Sequence, residues 1–256
     1  MGCSNSKNIQ INKLERKKAS SSNEFSKVRE YYNSNESLLP NRIRELFQKF
    51  FIQQTSVSSV IDLKFINLSG PQVKSIEIIL PYFTQIRALN LWKTKLGNEG
   101  CIVIAKLLHN FPCLSFISFA DNRISYPGIK AICDKFSILK DLEILELHVN
   151  QFDAHATHAL ALNIGKLVKL RNICLDECEM SGDSLKELIQ ALPNIKELER
   201  ISMDYNFFGE PVSNIMFNVL NKLKNLKRMS AQHTGITLAV QEALKKVYPD
   251  IVFAFS

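Results

Sequence analysis

No stretch of this sequence is long and apolar, and none matches the short motifs of common enzymes. The roughly 18 consecutive apolar residues that a membrane-spanning helix needs are absent, so no transmembrane helix is expected. The first residues are too polar for a secretory signal peptide. A Gly-rich phosphate loop, a Gly-x-Ser-x-Gly turn and a His-Glu-x-x-His pair are also missing. These absences favour an interaction protein over an enzyme, with no cofactor.

Cysteine is present, but not in a pattern that binds metal or forms a disulfide framework. The six cysteines contain no Cys-x-x-Cys pair, and four of them fall at positions predicted to be in the core. Such scattered thiols are typical of a reduced, cytosolic protein. They are Cys3, Cys101, Cys113, Cys133, Cys174 and Cys178.

Positive charge is unevenly distributed along the chain. The formal charge is +7, and residues 1–57 hold ten Lys or Arg against five Asp or Glu. The remaining residues hold 22 basic against 20 acidic side chains, which is close to neutral. A nucleic-acid-binding domain would carry a basic face or stripe, so we expect no nucleic-acid partner.

A 28-residue period organises the chain from residue 58 to residue 253. One unit reads Leu114, Ile117, Phe119, Asn122, Ile124, at positions 1, 4, 6, 9 and 11 of the repeat. Shifting these numbers by 28 in either direction gives seven units without an insertion, and Ser58 is the one polar residue at positions 1, 4, 6 and 11. With 46% hydrophobic residues, chance would fill about half of these positions. The period therefore predicts a solenoid.

The repeat resembles the leucine-rich repeats of the ribonuclease-inhibitor-like family. That resemblance implies an α/β solenoid, or horseshoe, with parallel strands on its concave face and helices on its convex face. It also implies that the position-9 side chain is buried and bonds to the backbone of neighbouring turns. Asn122, Asn150 and Asn206 fit this role, and Cys178 replaces a fourth asparagine. The other units depart from it, and we expect looser packing at the ends, at Ile66, Thr94 and Thr234.

Three regions are predicted. Residues 1–40 form a disordered basic segment, residues 41–57 a helix that caps the array, and residues 58–256 the repeat domain. The helix is indicated by apolar residues at helical spacing, and an array needs a cover on its first unit. A membrane-surface helix is the alternative, because the segment is both basic and rich in phenylalanine. The apolar residues are Ile43, Leu46, Phe47, Phe50 and Phe51.

The chain begins with a lipidation pattern. Gly2 followed by Ser6 fits N-myristoylation, and the adjacent Cys3 is a candidate for palmitoylation. The start resembles that of Src-type kinases and other doubly acylated proteins. One acyl chain binds a membrane weakly, so a second chain or a basic cluster is needed. The cluster here comprises Lys7, Lys13, Arg16, Lys17 and Lys18. These features predict a cytoplasmic protein held at the inner face of a membrane.

The outward positions of the strands predict a surface for a partner protein. Positions 3, 5 and 7 face outward because positions 4 and 6 face the core. They form an apolar strip and a charged patch, and exposed aromatic side chains beside charges are typical of protein-binding sites. The predicted contact residues are Trp92, Phe116, Ile144, Glu146, His148, Asp176, Glu177, Arg200, Asp204, Tyr205 and Arg228.

Catalytic and metal-binding interpretations are weaker. Asp176, Glu177 and Asp204 could be general acids or metal ligands, but the sequence indicates no cleft or third ligand type. His155 and His158 are three residues apart on a predicted helix, and two histidines alone do not make a metal site. We expect no metal and no catalytic residue.

The favoured function is a monomeric, membrane-tethered scaffold that binds another protein, such as a small GTPase, on its concave face. Two alternatives come from resemblance. Ran GTPase-activating proteins contain similar repeats, although they have more of them. A ribonuclease-inhibitor-like inhibitor would occlude a basic enzyme through an acidic patch, and the residues compatible with it are Asp176, Asp204 and Tyr205.

Overall fold

The computed structural model describes residues 23–53 and 59–255. The chain divides into two compact units between Gln54 and Thr55. The smaller amino-terminal unit is helical, and the larger unit is the repeat array.

The array contains a single sheet of eight parallel strands that lie side by side in chain order. Every strand is three residues long. The strands are β1 (Val60–Asp62), β2 (Ala88–Asn90), β3 (Phe116–Ser118), β4 (Ile144–Glu146), β5 (Asn172–Cys174), β6 (Arg200–Ser202), β7 (Arg228–Ser230) and β8 (Val252–Ala254).

One helix follows each of the first seven strands. Most of these helices end in a short 3-10 turn that leads back toward the next strand. The α-helices of the array are α3 (Pro71–Ile79), α4 (Gly97–Leu107), α5 (Tyr126–Cys133), α6 (Ala154–Asn163), α7 (Gly182–Ala191), α8 (Gly209–Leu220) and α9 (Leu238–Val247). Alternating parallel strands and helices confirm the predicted leucine-rich repeat solenoid.

The register of the sheet follows the 28-residue period. Leu89 pairs with Ile117, and Ile117 pairs with Leu145, so position-4 residues line up on adjacent strands. These three side chains have no exposed surface. The last step is shorter, because Phe253 in β8 pairs with Met229, 24 residues earlier. Each repeat thus adds one apolar layer to a continuous core.

Buried asparagines connect successive repeats. The Oδ1 atom of Asn122 accepts hydrogen bonds from the backbone N–H groups of Thr94 and Leu96, at 3.0 and 3.1 Å. Its Nδ2 atom donates to the carbonyl oxygens of Leu91 and Phe119. Asn150 and Asn206 repeat this arrangement. The role that the resemblance implied for position 9 is confirmed for these three residues.

The departures from asparagine have different outcomes. Thr94 is fully buried, and its hydroxyl bonds to Asn122 and to the Leu91 carbonyl, so its repeat is bonded tightly. Thr234 is buried and donates to the Ala231 carbonyl. The prediction of looser packing is therefore wrong at Thr94, whereas at Thr234, whose hydroxyl bonds within its own repeat, it stays a prediction. Ile66 is half-buried.

The amino-terminal unit differs from the predicted disorder. Residues 23–35 form a helix, α1, and the next helix is α2 (Asn41–Gln53). The rings of Phe25 and Phe50 lie 5.5 Å apart, and those of Tyr32 and Phe47 lie 5.4 Å apart. Disorder was predicted for all of residues 1–40, whereas the apolar residues from Phe25 onward stabilise a helix over residues 23–35.

The aromatic face of α2 is occupied within this unit. Phe47 and Phe50 are buried, and the guanidinium of Arg29 lies 4.8 Å from the ring centroid of Phe51. Phe47 and Phe50 are thus covered, whereas Phe51 is half-buried, and the membrane-surface alternative for α2 stays a prediction. Capping of the array by α2 stays a prediction. Among residues 23–53 and 59–255, no helix combines the length and the apolar content that crossing a bilayer requires.

Candidate functional site

The open face of the sheet carries a groove of about 880 Å³, the sheet-face groove. It extends across β3 to β8, opposite the face that packs on the helices. Six of the predicted contact residues line it, together with strand residues that were not predicted. The outward-facing residues among its lining are Phe116, Ile144, Glu146, Asn172, Cys174, Arg200, Ser202, Asp204, Lys227, Arg228, Ser230, Gln232 and Val252.

The groove changes in character along the position-3 row. Phe116 and Ile144 are register partners on β3 and β4, and both are half-buried. Arg200 and Arg228 are register partners on β6 and β7, and both are exposed. Neighbouring strands lie roughly 4.8 Å apart, so the row presents an apolar end and a basic end about 12–14 Å from each other.

An acid close to the arginine pair in sequence, Glu199, is bonded to two other cations. Glu199 lies 3.2 Å from Arg171 and 2.9 Å from Lys227. The hydrogen bond from Lys227 lowers the pKa of Glu199. Within the part of the chain that the structure describes, neither Arg200 nor Arg228 reaches a carboxylate within ion-pair distance. Two exposed arginines thus occupy paired backbone positions on the open face.

The predicted acidic contacts Asp176 and Asp204 form part of the repeat bonding. Asp176 Oδ1 accepts from the Ser202 hydroxyl at 2.5 Å and from the Asp204 N–H at 2.8 Å. Asp204 Oδ1 accepts from the Ser230 hydroxyl at 2.7 Å and from the Gln232 N–H at 2.8 Å. One oxygen of each carboxylate is thus occupied by the next repeat.

Cys174 lies in the same groove, half-buried, and its thiol donates to Asp176 Oδ2 at 3.2 Å. Burial, followed by the charge of Asp176, raises the pKa of this thiol. A thiol with a raised pKa stays protonated at neutral pH and is a poor nucleophile. The groove therefore offers no activated cysteine.

Trp92 is separate from the sheet-face groove. Its ring centroid lies 4.9 Å from that of Phe65, and 6.4 Å from that of His148 on the far side of β3. Between these two rings, Ala120 has no exposed surface. Trp92 remains 38% exposed and Phe65 58% exposed. The predicted apolar strip is therefore divided into an aromatic cluster of Phe65, Trp92 and His148 and a groove wall of Phe116 and Ile144.

Glu177 and Tyr205 lie at another edge, where the chain leaves the strands. They line a second cavity of about 420 Å³, the strand-end groove. Residues at position 8 have positive φ in all seven repeats, although none is glycine. Their N–H groups extend the hydrogen-bond ladder: that of Tyr205 donates to the Gln232 carbonyl, 2.8 Å away. Tyr205 also stacks on His233, with ring centroids 4.5 Å apart.

Several residues of these surfaces were missed by the sequence analysis. Phe65 occupies position 8 of the first repeat, the position that the predicted contacts Glu177 and Tyr205 hold in later repeats, and it could have been found by following that position to the start of the array. The hydroxyls Ser202 and Ser230 each lie 26 residues after an aspartate that accepts from them. That recurring separation was the available signal for inter-repeat bonding.

The weaker metal interpretation gains nothing from the structure. His158 Nδ1 lies 2.6 Å from Glu187, whereas the His155 ring packs near Tyr126, so the two histidines have separate partners. Across residues 23–53 and 59–255, no three His, Cys, Asp or Glu side chains are grouped to hold a metal ion. Asp153 caps α6 by accepting from the Ala156 N–H. The lipidation residues Gly2 and Cys3 lie outside the described residues.

Comparison with known proteins shows distant similarity to leucine-rich repeat proteins. Over 122 residues the chain is 27% identical to Protein NLRC5 of Mus musculus, a match covering 48% of this chain and 6% of that protein. Over 137 residues it is 27% identical to Toll-like receptor 13 of Mus musculus, covering 51% of this chain and 13% of that protein. The chain therefore spans a small part of the length of these relatives. No known protein-family profile matches it.

Among solved structures, the tropomodulin C-terminal domain of Caenorhabditis elegans is similar in fold. The TM-score is 0.50 at 15% sequence identity, and the match covers 59% of this chain and 92% of that one. At such low identity the similarity concerns the fold alone. Together with the sheet register, these relatives support a leucine-rich repeat protein.

Proposed function

We propose that this chain is a protein-interaction scaffold whose sheet-face groove receives a partner protein. The observation that carries the proposal is the groove of about 880 Å³ across six strands, which combines an apolar wall at Phe116 and Ile144 with charged side chains. Interfaces of stable complexes combine apolar anchors with polar surroundings in this way. The distant leucine-rich repeat relatives support the same class of function.

The chain acts as a monomer in this proposal, and binding proceeds by shape and charge complementarity without a catalytic step. Within the described residues, the one half-buried thiol in the groove has a raised pKa, and no three-residue metal cluster is present. Binding of this kind requires a surface of stable geometry. The hydrogen bonds that Asp176 and Asp204 accept from the next repeat make the groove rigid. A preorganised surface loses less entropy when a partner binds.

Membrane tethering is the second part of the proposal. Acylation at Gly2 and Cys3, with the basic cluster that follows, would hold the scaffold at the inner face of a membrane. Confinement there would raise its effective concentration toward a membrane-bound partner such as a small GTPase. Metabolic labelling with a myristate analogue tests this directly. The wild type should be labelled and Gly2→Ala should not; label on the variant contradicts the tether.

Site-specific crosslinking tests the binding face. A photoreactive amino acid replaces Ile144 in the groove, and a matched variant carries it at Leu162, a 67%-exposed residue of α6 in the same repeat. In cells, the Ile144 position should yield discrete crosslinked partner bands, and Leu162 should yield few. Equal crosslinking from both positions, or none from Ile144, contradicts the proposal.

A further inference from the structure

The basic end of the sheet-face groove specifies the chemistry of the partner. We infer that the groove binds a partner segment through an acidic side chain seated between Arg200 and Arg228, with an apolar side chain of the same segment against Phe116 and Ile144. This inference rests on the proposed function and adds the class of partner to it.

The arginine pair is unfavourable in the free protein. Register partners on adjacent strands bring two cations within roughly 4.8 Å at the backbone, and like charges directly opposite each other destabilise a sheet. Glu199 is bonded to Lys227 and Arg171. The hydrogen bond from Lys227 contributes most to the lowered pKa of Glu199, and among the cations the charge of Arg200 contributes least, so Glu199 compensates the pair only in part. A carboxylate that enters between the two guanidinium groups removes the repulsion and accepts hydrogen bonds from both.

The groove's own acids favour the same orientation of the partner. The acids that line the groove, Glu146 and Asp204, stand at positions 5 and 7, whereas the arginines stand at position 3, close to where the strands begin. Asp176, also at position 7, lies beside the groove and bonds to Cys174 and Ser202 in its lining. One oxygen of each aspartate already accepts two hydrogen bonds from the next repeat. The guanidinium groups keep their donors free of carboxylate partners in the described chain. Along the position-3 row, the unused hydrogen-bonding capacity therefore belongs to the guanidinium groups.

An acidic segment is thus favoured over a basic enzyme surface. The inhibitor alternative expected a basic partner to meet Asp176, Asp204 and Tyr205. In the structure, Tyr205 lines the strand-end groove with Glu177, Asp204 lines the sheet-face groove, and Asp176 lines neither. The acidic patch on which that alternative depends is therefore divided between two surfaces.

The spacing along the position-3 row predicts the pattern in the partner. From Ile144 on β4 to the midpoint between Arg200 and Arg228 is about two and a half strand spacings, or roughly 12 Å. In an extended segment, side chains on one face recur about every 6.6 Å. The segment should therefore carry an apolar residue and an Asp or Glu four positions apart.

Selection of random 12-residue peptides on phage against the full chain tests this inference. The wild type should enrich Asp or Glu four positions from an apolar residue, and more salt should weaken binding of the selected peptides. Arg200→Glu/Arg228→Glu should lower their affinity about tenfold or more, since it reverses both charges. The matched control Lys222→Glu/Lys224→Glu changes two exposed lysines outside the groove and should leave affinity within about twofold.

A variant with a single, smaller change distinguishes lost binding from misfolding. Arg228→Gln removes one charge of the pair, so its melting temperature should equal or exceed that of the wild type, while binding of acidic peptides falls. Retained binding in both arginine variants, or enrichment of Lys-rich peptides, overturns the inference. A melting-temperature rise caused by inorganic phosphate, but not by sodium chloride of equal ionic strength, and accompanied by no acidic enrichment, also overturns it.

Ile144→Glu separates this inference from the proposed function. Peptides that fail to bind Ile144→Glu but bind both arginine variants would support the proposed binding face and contradict the acidic partner. Peptides that bind Ile144→Glu as tightly as the wild type reject the face itself, and the inference falls with it.

Discussion

The backbone N–H of Asp204 donates a 2.8 Å hydrogen bond to the carboxylate of Asp176, one repeat earlier. The same bond recurs one repeat later, from Gln232 to Asp204. Side chains predicted to contact a partner therefore also join neighbouring repeats. Substitutions at these positions affect stability as well as binding, and the two effects can be separated by choosing the replacement.

Asp204→Ala should destabilise the protein by about 1–2 kcal/mol, because the Ser230 hydroxyl and the Gln232 N–H lose a shared acceptor. Asp204→Asn keeps an acceptor oxygen and should lose less. Urea unfolding followed by circular dichroism measures both, and Asp250→Ala, at an exposed position, is the control. Equal stability of the alanine variant and the wild type would show that these bonds contribute little.

Asn122→Ala should be much more damaging, with a loss of about 3–5 kcal/mol. The substitution leaves the buried N–H groups of Thr94 and Leu96 without their side-chain acceptor, and it removes one of the two side-chain donors to the Leu91 carbonyl. Denaturant unfolding measures the loss. Asn67→Ala is the matched control, since exposed Asn67 bonds locally to Ser69. Similar losses for the two variants would contradict the structural importance of position 9.

Val149→Asn should stabilise the protein by about 0.5–1 kcal/mol. Val149 has φ of 56°, a conformation that β-branched residues rarely adopt and asparagine tolerates. Its side chain is 36% exposed, so little burial is lost. Thermal unfolding measures the gain, and Val168→Asn, at a 50%-exposed valine without positive φ, should show none. A lower melting temperature for Val149→Asn would contradict this explanation.

Ionisation of Cys178 should lower the free energy of unfolding as pH rises above about 8.5. Burial raises the pKa of its thiol to about 12, whereas an unfolded cysteine titrates near 8.5. Between these values the native state keeps a proton that the unfolded chain releases. The stabilisation is therefore complete below about pH 8.5 and is lost as pH rises toward 12, by about 1.4 kcal/mol for each pH unit.

Cys178→Asn removes this titration and restores the side chain found at position 9 in neighbouring repeats. Between pH 8 and pH 10, its free energy of unfolding should fall by about 2 kcal/mol less than that of the wild type. Urea unfolding under reducing conditions at both pH values gives the comparison. Identical losses in the two proteins would mean that Cys178 does not carry the pH dependence.

The repeat architecture could be predicted from the 28-residue period. Leu, Ile and Asn recur at fixed positions, and a parallel register of the strands follows from that recurrence. The outward residues were harder to assign. Asp176 reads as an exposed acid until Ser202 and the Asp204 N–H are seen beside it. The burial of Ala120 between Trp92 and His148 depends on how two large rings are oriented across a strand. Sequence spacing does not contain that information.

The amino-terminal unit illustrates a different difficulty. Its α1 helix lacks the 28-residue period, and its apolar residues lie among many polar ones. The ring pairs formed by Phe25 and Tyr32 with α2 stabilise it, and these are contacts between segments. Local composition therefore understated its order.

The repeats keep one length from Ile86 to Leu226, so equivalent residues of successive repeats occupy equivalent places in the sheet register. Removing the 28 residues from 143 to 170 would bring β5 into the place of β4, with the same pairing to β3. The binding face would become shorter by one strand width, about 4.8 Å, and Phe116 would move that much closer to Arg200. The width of the binding face can thus be changed in steps of one repeat, and variants of different width would show how long a partner segment must be to bind.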